Sequence, residues 1–258
     1  MSEADAQTSK ISPARRGGRA GRLEAHVRRG VRKTSASATL NAWSLTPGDP
    51  ATRTLVIACG ALIAELQQVI RLNGLDHIEV TAVPADYHAT PDKIPDAVAA
   101  KIRAAKQRYA HVLVGFGDCG TRGRLDEILA QEGVERIEGA HCYAFYAGLD
   151  RFAQLHDEAA GTFYLTDFLA RHFDKLTLKA LKLDTHPELK SDYFGNYTRV
   201  VYLAQLPTPE RLARAQAVAA WFGLPLTVVE TGVAGLDDWL KAADRTSADQ
   251  NSAARAAK

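Results

Sequence analysis

The sequence predicts a mostly parallel, Rossmann-like α/β fold with two lobes. Short apolar runs such as 55–58 and 112–114 resemble buried strands and lead into glycine-containing turns. Segments in which apolar residues recur with helical spacing separate these runs, and the same order recurs in the second half of the chain. Strands that alternate with helical crossovers are typical of a parallel sheet with helices on both faces.

The chain divides into four segments by composition and pattern. Residues 1–48 lack apolar periodicity and end in SLTPGDP, which predicts a disordered basic arm followed by turns. The first lobe, with all three cysteines, is expected over 49–160 and the second over 161–245. Residues 246–258 are rich in Ala, Ser and Asp and are expected to form a frayed tail.

The first lobe opens with the nearly continuous apolar run 52–58, which predicts a strand. Residues 61–72 follow with helical spacing, and Asn73-Gly74 supplies the stop signal of a helix. The same patterns predict the remaining elements, which are strands at 77–83, 111–116 and 134–137 and helices at 96–109 and 121–131.

The second lobe begins near Gly161. Residues 162–173 show helical spacing of apolar residues, whereas 182–198 form a polar and aromatic connection. Beyond it, strands are predicted at 200–204 and 226–230, and helices at 208–222 and 236–242.

The composition restricts the class of protein. With 258 residues, 46% hydrophobic and 24% charged, the chain is long enough for an enzyme-sized globular fold. It has no apolar run near the roughly 20 residues of a membrane-spanning helix and no apolar signal core, so we expect a cytoplasmic protein without a membrane partner. Three cysteines without an export signal favour reduced thiols over a disulfide framework.

The net charge of the chain is +2, and its charged residues are unevenly distributed along the sequence. Residues 1–35 contain nine Lys/Arg against three Asp/Glu, whereas the remainder is net negative. Nucleic acid is therefore an expected partner only through the basic arm, and the alternative is a solvated tail. The glycine-rich GFGDCG lacks the order of a dinucleotide fingerprint, and no Walker, serine-hydrolase or zincin motif occurs.

The three cysteines each follow a predicted strand. Cys59 comes after TLVIA, Cys119 after VLVGFGD and Cys142 after the strand near Ile137. Because the carboxyl ends of parallel strands share one edge of a sheet, these thiols are expected to converge and to hold zinc or a [4Fe-4S] cluster with one open position. We also expect helix N-termini to lower the thiol pKa values. The alternative is that the cysteines fill space in a core.

Other residues near these turns are candidates for the same site. Catalytic roles are predicted for His88, His141 and Asp118, either histidine being also a possible fourth ligand. Contacts with a cofactor or an anionic substrate are predicted for Gly60, Gly117, Gly120 and Arg122. The second lobe is expected to close over the site. Its walls and one or two polar contacts would come from the aromatic run Tyr193, Phe194 and Tyr197 and from the helix with Thr166, Asp167, Arg171 and His172, and packing explains these residues equally well.

The segments ACGAL, HATPDKIP, GFGDCG, HCYAFYAG, GTFYLTDFLARHFD and VVYLAQ resemble the DUF1638 family, an uncharacterised bacterial and archaeal domain of unknown function. The resemblance extends from about Thr54 to about Leu240. It implies cysteines at the three positions quoted, with histidine or aspartate before the third, here His141. It also implies an association with corrinoid-dependent methyl transfer systems.

Two functions remain open from the sequence. The first is a metalloprotein, with or without enzymatic activity. As an enzyme it would use the open coordination position in methyl transfer or lyase-type chemistry, with a small-molecule substrate or a corrinoid-system protein as its partner. The second is an accessory or small-anion-binding module with structurally packed cysteines.

Overall fold

The computed structural model describes residues 52–256, all of which belong to one compact unit. The arm predicted over 1–48 lies outside the described residues. Within them, no helix has the length and the apolar character needed to cross a lipid bilayer.

Two parallel three-stranded sheets form the centre of the fold. The first has the order β2-β1-β3 and the second the order β4-β5-β6. The strands are β1 (Thr54–Cys59), β2 (Ile78–Val83), β3 (His111–Gly115), β4 (Thr162–Thr166), β5 (Arg199–Ala204) and β6 (Leu226–Glu230). The mostly parallel α/β fold predicted from the sequence is therefore confirmed.

Helices connect the strands. They are α1 (Ile63–Asn73), α2 (Ile94–Ala105), α3 (Arg124–Glu132), α4 (Cys142–Ala147), α5 (Leu149–Glu158), α6 (Asp167–Phe173), α7 (Lys190–Phe194), α8 (Pro209–Phe222) and α9 (Ala234–Ala256). Short 3-10 helices at Gly60–Leu62, Ala85–Ala89, Pro91–Lys93 and Pro187–Leu189 and a π-helix at Asp174–Lys179 complete the chain. The last helix extends well beyond the predicted 236–242.

Two predicted elements are wrong. Residues 134–137 form no strand but only one isolated parallel bridge between Arg136 and Val114, because glycines 133 and 139 take positive φ angles on either side. Residues 162–173 do not form one helix. Their first part is β4, whose β-branched and aromatic residues suit a strand, and the Thr166 hydroxyl then caps α6 by accepting a hydrogen bond from Leu169 N.

Helices from both halves of the chain cover each sheet. All six residues of β1 are buried, and the core around them includes Leu236 and Leu240 of the C-terminal helix α9, which packs on α1 and α4. On the second sheet, alternate residues of β5 face either α6 and α8 or the α4–α5 pair. The lobes predicted at 49–160 and 161–245 therefore contain one sheet each. However, α9 of the second half packs on the first sheet, and α4 and α5 of the first half pack on the second sheet.

Candidate functional site

The three cysteines lie beyond the carboxyl edge of the first sheet. Cys59 is the last residue of β1, Cys119 lies in the loop after β3, and Cys142 begins α4. Burial raises the pKa of Cys142 and of Cys59; Cys119 and Cys59 add a smaller contribution to Cys142, and Cys119 adds one to Cys59. The fold thus brings together three thiols that are far apart in sequence.

The turn after β1 places Cys59 beside His88. The Cys59 Sγ atom accepts a hydrogen bond from Ala61 N at 3.4 Å and lies 3.9 Å from His88 Nδ1. Gly60 allows a close approach to the loop after β2, because a Cβ atom there would lie 3.4 Å from both Ala85 N and Val83 O. The nearest neighbours of Gly60 are therefore protein backbone atoms.

Asp118 organises the loop that carries Cys119. Its carboxylate accepts hydrogen bonds from Gly123 N at 2.9 Å, from the Thr121 hydroxyl at 2.9 Å, and from the backbone nitrogens of Gly120 and Arg122 at 3.2 and 3.3 Å. These bonds, led by the one from Gly123, hold the pKa of Asp118 below its usual value. The predicted catalytic carboxylate is thus engaged by its own loop.

The same loop keeps two non-glycine residues in the left-handed region. Cys119 has φ 48° and Arg122 has φ 56°, a conformation that side chains with a Cβ atom rarely adopt. Strained backbone of this kind persists where surrounding contacts hold it, and it is concentrated at functional sites. The Arg122 side chain is exposed, and Gly120 packs against Pro91.

Removing the Asp118 carboxylate should release this loop. We expect Asp118→Ala to lower the free energy of unfolding by about 2 kcal/mol, since several hydrogen bonds to a charged acceptor are lost. Alkylation of Cys119, followed by mass spectrometry, should become faster. Asp92→Ala is the matched control, because this carboxylate is 87% exposed and pairs with Arg124 on the surface. Unchanged stability and alkylation in Asp118→Ala would contradict this role.

A close backbone contact joins the Cys119 loop to the segment before Cys142. Cys119 N donates a hydrogen bond to Ala140 O at 3.0 Å, and a Cβ atom on Gly117 would come within 2.8 Å of the same oxygen. Gly117 is therefore required for the loops to meet. Arg136 braces the segment by donating to the carbonyl oxygens of Ile137 and Gly139.

The thiols do not have the lowered pKa values expected from helix N-termini. Burial raises the pKa of the Cys59 thiol to about 12 and that of Cys119 to about 11. Burial also raises the pKa of Cys142 far above its usual value, and the other two sulfurs add to the effect. Desolvation therefore outweighs the backbone amides, and binding of a cation here would have to displace protons.

The two candidate histidines lie near each other. His88 Nδ1 is 3.0 Å from Ala85 O, so a donated hydrogen bond there leaves the Nε2 lone pair available. Desolvation by the neighbouring protein atoms disfavours the charged imidazole and lowers the pKa of His88, and His141 adds a smaller contribution in the same direction. His141 itself is exposed, precedes α4 and packs against the rings of Tyr143 and Phe152.

In the conformation described for residues 52–256, no three or more Cys, His, Asp or Glu side chains are grouped so that they could hold a single metal ion. The three cysteines therefore do not form a site for a single metal ion in this conformation. A zinc ion would need sulfur–sulfur separations of roughly 3.5 to 4 Å, whereas a four-iron cluster needs about 6 to 7 Å.

A cavity of about 170 Å³ lies next to Cys142 and His88. Both halves of the chain contribute to its walls. Its lining consists of Ala61, Ala85, Asp86, His88, Ala89, Cys142 and Tyr143 from the first half and of Thr166, Phe168, Leu169 and Leu176 from the second.

The second half of the chain therefore reaches the site through the start of α6. The aromatic run 193–197 does not contribute to this wall. Phe194 and Tyr197 instead pack edge-on against Phe163 of β4, and Tyr193 is half exposed.

Glu65 of α1 is a buried carboxyl group that was not among the predicted site residues. It is 3% exposed, and its Oε2 atom has no hydrogen-bond partner among the described residues. Its place three residues after Leu62 and four before Val69 puts it on the buried stripe of the helix, a signal available in the sequence. Burial raises the pKa of Glu65 and the Asp167 carboxylate raises it further, whereas Arg211 and a hydrogen bond from Tyr146 lower it.

Glu65 should make stability depend on pH. Because its pKa is raised in the folded protein, its contribution is fully present below the ordinary value of 4.5 and is lost as the pH rises through the folded-state value. We therefore expect Glu65→Gln, which cannot ionise, to gain stability relative to the wild type as the pH increases from 4 to 8 in urea unfolding.

Glu132→Gln provides a control of opposite sign for this titration. The Lys106 and Arg103 side chains hold the pKa of Glu132 below its usual value. Its contribution is therefore present above the unfolded-state pKa and is lost as the pH falls through the folded-state value. If the free energy of unfolding of Glu65→Gln changed with pH in the same way as that of the wild type from pH 4 to 8, the raised pKa of Glu65 would be contradicted.

Comparison with known proteins identifies a family. No curated protein and no solved structure matches the chain. The sequence profile of DUF1638, described as protein of unknown function, matches residues 82–240, which include His88, Cys119 and Cys142. The match begins after Cys59, later than the start near Thr54 expected from the resemblance. Since the matched residues make up more than half of the sequence, the chain belongs to the DUF1638 family.

Proposed function

We propose that Cys59, Cys119 and Cys142 bind one iron–sulfur cluster whose fourth position faces the adjacent cavity, and that the protein acts there on a small-molecule substrate in a lyase-type reaction. The observation that carries the proposal is the placement of the three cysteines around one cavity: Cys59 ends β1 next to His88, Cys119 N bonds to Ala140 O just before Cys142, and Cys142 lines the cavity.

The donor set suits a cluster held by three cysteines. Thiolates are the usual ligands of iron–sulfur clusters, and three of them leave one iron open. The strained, braced loop around Cys119 supports a role beyond packing, because a core cysteine needs no such conformation.

The residues around the cavity supply the remaining chemistry. When bound, a cluster with an open iron would supply a Lewis acid for a hydroxyl or carbonyl oxygen. His88, whose Nδ1 is directed to Ala85 O, presents Nε2 as a general base that removes a proton from the substrate. The apolar side chains of Phe168, Leu169 and Leu176 exclude water from the reacting atoms. Asp118 positions Cys119.

Zinc is the second candidate, and one observation favours it. His88 Nδ1 lies 3.9 Å from Cys59 Sγ, so a modest rearrangement would give a three-cysteine, one-histidine site. A zinc site of this composition is closed and would be structural, without an open position for catalysis.

The two candidates differ in their dependence on His88. The experiment is metal and sulfide analysis of anaerobically purified wild type and His88→Ala. The cluster proposal predicts iron with sulfide in both proteins, because histidine is not a ligand. Zinc in the wild type that is lost in His88→Ala would replace the cluster with the structural site. Exposed His186→Ala is the matched control, since its imidazole pairs only with Glu188 on the surface.

A further inference from the structure

We propose that the cavity beside Cys142 and His88 binds a small uncharged molecule with an apolar body and one hydroxyl or carbonyl oxygen, and that it rejects anions. This substrate class deepens the function proposed above and rests on it. It differs from the anionic ligand that the sequence offered as one of its alternatives.

The size of the cavity limits the ligand first. About 170 Å³ is well below the roughly 300 to 1,000 Å³ that drug-sized ligands and cofactors occupy. A space of this size would not enclose a nucleotide or another large cofactor. Three alanines, Ala61, Ala85 and Ala89, create the room on the side of the first sheet.

The walls favour an apolar body with one polar end. Phe168, Leu169 and Leu176 from the second half of the chain form an apolar wall. Besides Asp86, the polar residues of the lining are His88, Cys142, Tyr143 and Thr166, which can exchange hydrogen bonds with an oxygen of the ligand. Ligand sites commonly combine an apolar lining with a few polar groups that fix orientation.

The charges of the lining disfavour an anion. Asp86 is the only acidic residue among the residues that line the cavity, and no lysine or arginine is among them. A carboxylate or phosphate would lose its hydration without gaining a cationic partner and would face the negative charge of Asp86. A neutral molecule of the same shape avoids this cost.

The test compares two probes of equal shape, isobutyramide and isobutyrate, which differ in charge. Binding to the full chain is measured by ligand-observed NMR and calorimetry. We expect isobutyramide to bind at least about tenfold more tightly than isobutyrate, equivalent to about 1.4 kcal/mol. Equal or tighter binding of isobutyrate, or no binding of isobutyramide up to its solubility limit, would overturn the proposal.

A cavity-filling variant localises the binding. Ala89→Leu should lower the affinity for isobutyramide at least about tenfold, because the added side chain occupies the cavity. Ala217→Leu, at an exposed position of α8, should leave binding unchanged. Isobutyramide that binds equally to Ala89→Leu would place it elsewhere and overturn the proposal. Binding is measured before and after anaerobic reconstitution with iron and sulfide. Isobutyramide binding by a protein that takes up neither iron nor sulfide would support the cavity proposal and contradict the cluster, so the two failures are distinguished.

Discussion

Cys142→Ala should lose all bound iron and sulfide while remaining folded. Two thiolates cannot hold a cluster that needs three, so the metal content is expected to fall to near zero. The fold should change little, because alanine suits the first position of α4 and Cys142 is only partly buried. Iron and sulfide analysis, with circular dichroism as a test of folding, measures both effects.

Cys142→Ser separates ligation from packing. The hydroxyl is close to the thiol in size but is a poor ligand for iron, so this variant should also lose the cluster. The matched control is Ala153→Ser on the exposed face of α5, which should retain the full metal content. A folded Cys142→Ala protein with undiminished iron would show that Cys142 is not a ligand.

Asp167→Ala should destabilise the protein by about 2 to 3 kcal/mol, because donors that include the buried Tyr202 hydroxyl lose a charged acceptor. The carboxylate is buried and accepts hydrogen bonds from Tyr202 Oη at 2.5 Å, Leu206 N at 2.9 Å and Arg211 Nη1 at 2.9 Å. The variant would leave these donors without their acceptor beside the buried Glu65. Urea unfolding followed by fluorescence measures the loss.

An exposed ion pair of the same kind provides the control. Asp174 is 62% exposed and pairs with Arg214 at 2.8 Å, so Asp174→Ala should change the free energy of unfolding by less than about 1 kcal/mol. Similar losses in both variants would mean that burial does not determine the importance of Asp167.

Much of the fold could be predicted because local patterns agreed with tertiary packing. The buried run that became β1 is apolar throughout, and β6 was predicted at its observed bounds because glycine and proline mark its start. Residues 162–173 were misassigned because Leu165 fits a helical stripe by spacing, although it is buried in a strand. Spacing alone could not separate these alternatives, which the pairing of β4 with β5 decides.

The site was only partly predictable. Parallel topology explains why Cys59 and Cys119 lie at one edge, because it brings the ends of β1 and β3 there. Cys142 follows no strand, and its segment is held there by the Arg136–Val114 bridge and by the hydrogen bond from Cys119 N to Ala140 O. The sequence did not reveal that desolvation would raise the thiol pKa values, since burial depends on loops packed from elsewhere. The cavity wall formed by Phe168 and Leu176 likewise depends on how the second sheet packs, which no local pattern specifies.

The iron and acid-labile sulfide content of anaerobically reconstituted wild type tests the central claim most directly. Three cysteines that share one four-iron cluster predict about four iron and four sulfide ions per chain, with each single Cys→Ala variant near zero. Folded protein that binds neither iron nor sulfide, or a Cys59→Ala or Cys119→Ala variant with the full complement, would contradict it.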